Sequence, residues 1–193
     1  LAWAWDNSNA SFNPLIGGGS SYELASLSGS AQLKTINCLD MNTDGLIDVL
    51  VSADGSSRLL MIKNNGGSSF ETPQEILSSS DFSLPIYDFD GGDIDGDGDI
   101  DVVLATDSNI SLIENNGNGQ FNPMVNLYND PNGTPYRVKI ADMNGDKKAD
   151  IVSSIDRSNN GFQNQNVVLI SSTTSPLSYT CLLYTSPSPR DCQ

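Results

Sequence analysis

Five aspartates at alternate positions, Asp93, Asp95, Asp97, Asp99 and Asp101, crowd one nine-residue stretch that ends in Ile100-Asp101. Carboxylates this close repel one another unless a cation sits among them, and an all-oxygen donor set suits a hard ion. Calcium takes roughly six to eight oxygens at flexible geometry. A tight loop with acids at its first, third and fifth positions, a backbone carbonyl at the seventh and a closing acid supplies them. Gly98 fits the sharp turn such a loop makes, because glycine reaches positive φ without a Cβ clash. Val102-Val103-Leu104-Ala105 follows at once and reads as a buried strand leaving the loop.

The pattern occurs three times. Asp40-Met41-Asn42-Thr43-Asp44-Gly45-Leu46-Ile47-Asp48 precedes it and Asp142-Met143-Asn144-Gly145-Asp146-Lys147-Lys148-Ala149-Asp150 follows it, each running into a β-branched strand. From Asp40 to Asp93 is 53 positions and from Asp93 to Asp142 is 49, a period near fifty that points to propeller blades or another repeat array. A second feature keeps phase with the first. Leu59 to Phe70 lines up with Ile110 to Phe121, each reading as a strand, an Asn/Gly turn and an aromatic that opens another strand. One unit is therefore strand, acidic loop, strand, link, strand, turn, strand, which is a four-stranded blade.

The acidic loops followed by Ile-Asp-Val-Leu or Ala-Asp-Ile-Val, with Asn-Asn-Gly and Phe downstream, resemble the FG-GAP/VCBS repeats of integrin-α-type β-propellers. The resemblance spans roughly residues 1 to 175 and implies a calcium ion in the hairpin loop between the first two strands of each blade, up to three ions in all. By motif position it carries over as side-chain ligands Asp40, Asn42, Asp44 and Asp48, then Asp93, Asp95, Asp97 and Asp101, then Asp142, Asn144, Asp146 and Asp150. Leu46, Asp99 and Lys148 would contribute only their carbonyls. The third loop departs from the pattern, with Lys147 where the others have Gly45 and Gly98. A lysine there strains the backbone and adds positive charge near the ion, which makes this site the weakest. EF-hands fit poorly, since the twelfth positions are Val51, Leu104 and Val152 or its neighbour Ser153 and none is a bidentate Glu.

The expected fold is all-β: a partial β-propeller of about three four-stranded blades plus part of a preceding one, an open arc from a larger ring. Residues 1–27 are read as the end of the preceding blade, 28–78, 79–130 and 131–180 as blades around the three loops, the last incomplete. The remaining blades of a longer parent chain are expected to cover the exposed blade faces and strand edges. Residues 181–193, from Cys181-Leu182-Leu183-Tyr184 onward, resemble the conceptual translation of a sequencing adaptor read through in frame and are expected to be disordered, with no blade element.

Composition narrows the function. There are 9 basic residues against 24 acidic ones, a net charge of −15, and much of the acid lies in the three loops. No basic patch is present, which argues against nucleic acid and anionic membrane surfaces. No apolar run approaches the ~20 residues of a membrane span. The absence of histidine removes Ser-His-Asp, Cys-His and most zinc chemistry from these residues. Of three cysteines, Cys181 and Cys192 fall in the adaptor-like tail, and Cys38 is expected to be a buried small side chain.

Along the chain, Leu1 to Trp5 alternates as a strand, and Trp3 and Trp5 are read as packing between blades rather than as a carbohydrate-stacking pair. Gly17-Gly18-Gly19 is a flexible connection, and Tyr22 to Leu27 is expected to form an outer strand. Asp88 and Asp90 are read as strand residues facing outward in preference to a supporting charge beside the neighbouring ion. The polar link Asp156 to Asn166 is a surface loop. No nucleophile-base pair or phosphate-cradling loop accompanies the aspartates, so no catalysis is expected here. The expected function is a calcium-stabilised module of an extracellular or cell-surface protein that binds a protein or glycan. The alternative is an accessory propeller of a secreted hydrolase or lyase whose catalytic domain lies elsewhere.

Overall fold

A computed structural model describes residues 2–6, 11–16, 20–21, 33–53, 57–67, 69–77, 85–117, 119–158, 164–171 and 179–185. The chain divides into two compact units, Leu1–Ile86 and Tyr87–Gln193. In the first, β1 (Ala2–Asp6), β2 (Ser11–Ile16) and β3 (Ser20–Ser21) form a three-stranded antiparallel sheet. It is followed by a four-stranded sheet of β4 (Leu33–Leu39), β5 (Asp48–Ala53), β6 (Leu59–Ile62) and β9 (Gln74–Leu77), with the small pair β7 (Asn64–Gly66) and β8 (Ser69–Phe70) inserted before its last strand.

The second unit holds two more four-stranded antiparallel meanders. One is β10 (Asp88–Gly92), β11 (Asp101–Ala105), β12 (Asn109–Ile113) and β13 (Val125–Asn129); the other is β14 (Thr134–Ala141), β15 (Asp150–Asp156), β16 (Gln165–Ser171) and β17 (Tyr179–Thr185). None of the sheets closes on itself.

Burial explains the sequence pattern. Strands β6, β11 and β12 are buried at every residue, which is why Leu59–Ile62 and Val102–Ala105 read as continuous apolar runs rather than alternating ones, while β12 also buries the polar Asn109 and Ser111. The fourth strand β13 is largely exposed. In the second unit Val103 and Ala105 of β11 and Ile110 and Leu112 of β12 pack on Val138 of β14, Ile151 and Ile155 of β15, and Val167 and Leu169 of β16. Each large apolar side chain so buried contributes roughly 1.5–3 kcal/mol. The sheets approach closely: a Cβ built on Gly92 would lie 2.9 Å from Cγ2 of Ile140. In the first unit the corresponding cluster is Val49, Val51 and Ile62, with Ile36 and Phe70 against it.

Four expectations are corrected. The aromatics do not open the fourth strands; Phe70 lies in the small pair β7–β8, Phe121 makes an isolated bridge to Asn115, and the outer strands begin after Pro73 and Pro123. Proline has no N–H to give a ladder, so the pairing restarts beyond it. Residues 181–185 are not outside the fold but complete β17 beside β16, in the register Val167↔Leu183. Cys181, Leu182, Leu183 and Tyr184 are apolar enough for a strand, and the slot next to β16 is open to them. Cys38 is exposed rather than buried, because β4 is the edge strand of its sheet. Asp88 and Asp90 do not face outward: Asp88 is buried and Asp90 half-buried, and they accept the N–H groups of Val138 (3.2 Å) and Ile140 (3.1 Å) on the free edge of β14. Tyr22 to Leu27, Gly17 to Gly19, residues 159–163 of the polar link, residues 186–193 and the side chains of Trp3 and Trp5 lie outside the described residues.

Candidate metal centre

Loop 1 (residues 40–48), loop 2 (93–101) and loop 3 (142–150) sit in the same place, in the connection between the first and second strands of the three four-stranded sheets. Each folds through two left-handed residues at its fourth and sixth positions. These are Thr43 and Gly45 (φ 56° and 84°), Gly96 and Gly98 (85° and 96°), and Gly145 and Lys147 (82° and 67°). Glycine meets that demand without strain; Thr43 and Lys147 meet it at a cost of about 1 kcal/mol.

The hydrogen bonds repeat with the backbone. The first aspartate is the hub: Asp40 accepts from the N–H of Asp44 (3.1 Å) and Gly45 (2.9 Å), Asp93 from Gly96 (2.7 Å) and Gly98 (3.2 Å), and Asp142 from Gly145 (2.7 Å) and Lys147 (2.9 Å). The third residue accepts from the fifth N–H, in Asn42 at 3.3 Å, Asp95 at 3.1 Å and Asn144 at 2.8 Å. The fifth accepts from the seventh, in Asp44 at 2.8 Å and in Asp97 and Asp146 at 2.9 Å. The closing aspartate reaches back to the second N–H, Asp48 to Met41 (3.0 Å), Asp101 to Ile94 (2.8 Å) and Asp150 to Met143 (2.8 Å).

Asp48, Asp101 and Asp150 each begin a strand and are fully buried. Two residues that sequence reasoning left in the hairpin turns support them. The N–H of Asn64 donates to Asp48 (2.8 Å) and its side-chain amide to the carbonyl of Ile47 (3.0 Å); Asn115 does the same for Asp101 (2.9 Å) and Ile100 (3.1 Å). The signal was in the sequence, since the Asn-Asn-Gly turns keep phase with the loops. In the third sheet the pairing Ile151↔Leu169 puts Ser171 at this place. The glycine of the turn has its own reason: a Cβ on Gly117 would stand 2.7 Å from Oδ2 of Asp99.

Loop 2 is set apart by its side chains. Carboxylate oxygens of Asp93, Asp95 and Asp101 lie within 4.8 Å of one another, the one such group of three acids among the described residues. Asp97, also expected as a ligand, is not in this group. In loops 1 and 3 the third position is Asn42 or Asn144, so the first and closing positions supply two carboxylates instead of three. Burial pushes Asp101 up to about 6, with Asp95 and Asp97 adding to the shift and two backbone N–H groups opposing it. Burial also raises Asp95 and Asp48. Asp142 behaves oppositely, held below the usual carboxylate range by the N–H groups of Lys147 and its neighbours.

Three converging carboxylates, two of them raised by burial and crowding, are a donor set that fits a hard divalent cation. All the donors are oxygen, and no histidine or cysteine stands beside them to favour a softer ion. Asp93, Asp95 and Asp101 would hold it, and its charge would favour the ionised form of all three.

Comparison with known proteins bears on this arrangement. Residues 93–153, from loop 2 to just beyond loop 3, match the sequence model of the FG-GAP-like repeat. A solved structure of an Agrocybe aegerita lectin, described for its specific recognition of non-reducing terminal N-acetylglucosamine, superposes with a TM-score of 0.61 at 17% identity over 92% of this chain and 47% of the lectin. The chain thus spans about half the length of that lectin, and at this identity the likeness is one of fold: all-β, built of antiparallel sheets in the manner of a propeller. The Photorhabdus luminescens Tc holotoxin pore aligns at a TM-score of 0.48 and 17% identity, over 97% of this chain and 9% of that one. No curated protein matches significantly. Among the described residues no helix is long and apolar enough to cross a membrane.

Proposed function

We propose that this chain is a calcium-binding FG-GAP/VCBS-type module, about three blades and part of a fourth in an open arc of a larger propeller. It serves an extracellular or cell-surface protein as a binding or adhesion element rather than as an enzyme. The observation that carries the reading is the loop network that recurs three times, with three carboxylates gathered within 4.8 Å in loop 2. The ion's part is physical: it replaces carboxylate repulsion with shared attraction and pins each hairpin, so that the surrounding loops present a fixed surface. Extracellular calcium modules bind at roughly 10⁻⁴ to 10⁻³ M, which suits calcium levels outside the cell. The fold it shares with a lectin keeps a glycan beside a protein as the partner.

Thermal melting in calcium and in chelator tests the reading. At an ion concentration about a hundred times the Kd each site adds roughly 2.7 kcal/mol, so the transition should rise by several degrees. Asp95→Ala should remove most of the gain from loop 2 and Asp44→Ala that from loop 1. Identical melting with and without calcium would refute the proposal.

A further inference from the structure

Loop 3 departs from the other two at its sixth and seventh positions, where Lys147-Lys148 replaces Gly45-Leu46 and Gly98-Asp99. Lys147 holds φ at 67°, a conformation that glycine adopts freely, so the backbone gains nothing from a lysine here. Both lysines share a cleft with loop 2. A cleft of about 110 Å³ is walled on one side by Asp93, Ile94, Asp95 and Gly96 of loop 2, and on the other by Lys147, Lys148 and Ala149 of loop 3. The wall is firmly placed, because Ile94 belongs to the core cluster against which Ile140 and Ala149 pack. Asp93 and Asp95 of the loop 2 group therefore line a cleft whose far side is formed by two lysine residues. The remaining charge around the loop is acidic, with Asp97 and Glu114 both acting on Asp95.

We propose that Lys147 and Lys148 act across this cleft as fixed cations for loop 2, weakening its hold on a divalent ion and stabilising its ion-free form. This rests on the reading of loop 2 as a cation site given above. Like charges in a partly solvated cleft repel over several ångströms, and the repulsion is screened over a Debye length of about 8 Å at physiological salt. The loop 2 affinity is accordingly salt-dependent and tunable from the neighbouring sheet.

Calcium titration of the ¹⁵N-labelled full chain resolves the loops, with the amide of Gly98 reporting loop 2 and that of Gly45 reporting loop 1. In Lys147→Gln/Lys148→Gln the Kd read at Gly98 should fall by roughly fivefold at low salt and by less than about twofold at high salt, with Gly45 nearly unchanged. The transition temperature of the ion-free variant should drop. Lys147→Arg/Lys148→Arg, which keeps both charges, should bind like the unsubstituted chain. Equal Kd values at Gly98 in all three proteins, or equal tightening at Gly98 and Gly45, would overturn the proposal while leaving the cation site standing. No calcium-dependent shift at either glycine in the unsubstituted chain would overturn the site itself, and this inference with it.

Discussion

Loops 2 and 3 bend through the same two left-handed positions and make the same ladder of side-chain to backbone bonds, but they differ in charge. Loop 2 gathers three carboxylates, with Asp95 and Asp101 raised by burial. Loop 3 has Asn144 at the third position, two lysines, and an Asp142 lowered by the N–H groups it accepts. Their second residues differ too, Ile94 being 4% exposed in the core cluster and Met143 53% exposed. The backbone of both loops is held by the same side-chain acceptors on its N–H groups, whether the third residue is Asp95 or Asn144, whereas the charge at the third, sixth and seventh positions is what differs between them.

That separation can be broken at several points. Asp101→Ala should have the largest effect, about 3 kcal/mol in chemical denaturation even in chelator, because it orphans the buried N–H groups of Ile94 and Asn115. A loss under about 1 kcal/mol would mean that the closing aspartate serves only the ion. The pH dependence comes next. Asp101 has a folded pKa near 6, above its unfolded value, so the folded ion-free protein binds the extra proton. The contribution of Asp101 to ion-free stability should therefore fall as pH rises from about 4 to about 6. Asp142, with its pKa lowered, acts in the opposite sense, and its contribution is lost as pH falls below about 4. With calcium bound the loop 2 trend should reverse, since the ion requires the carboxylate that the proton removes. Melts across that range in calcium and in chelator check both signs.

Exchanging the sixth residues sharpens the comparison further. Lys147→Gly should be more stable without ion than Lys147→Gln by about 1 kcal/mol, because only glycine relieves the left-handed backbone, and Gly98→Lys should cost about the same. The smallest effect belongs to Asp97→Ala. The residue is exposed, lies outside the three-acid group and bonds one N–H, so its ion-free loss should stay under about 0.5 kcal/mol by urea titration. A further drop in calcium-dependent stabilisation would assign Asp97 a ligand role that the ion-free geometry does not display.

Much of this was legible from residue order. Alternating aspartates, the near-fifty-residue phase and the apolar runs at Val49 to Val51 and Val102 to Ala105 located the loops and the buried strands. What escaped were relations between elements. Asp88 and Asp90 looked like outward strand residues because nothing local marks the edge of β14, about fifty positions on, as their hydrogen-bond partner. The ion pairs of Arg137 with Asp88 (3.9 Å) and Lys139 with Asp90 (3.3 Å) were hidden for the same reason. Asn64 and Asn115 were read as turn formers, which they are, but their support of Asp48 and Asp101 depends on strand register. Cys38 shows the reverse case: a residue type that favours the interior stands on an edge strand.

Anomalous scattering from crystals grown with a lanthanide in place of calcium tests the central claim most directly. The account predicts a strong peak among the carboxylates of Asp93, Asp95 and Asp101, and weaker or no density in loop 3. Saturating ion that leaves no peak in loop 2, or that occupies loop 3 in preference to it, would contradict the claim.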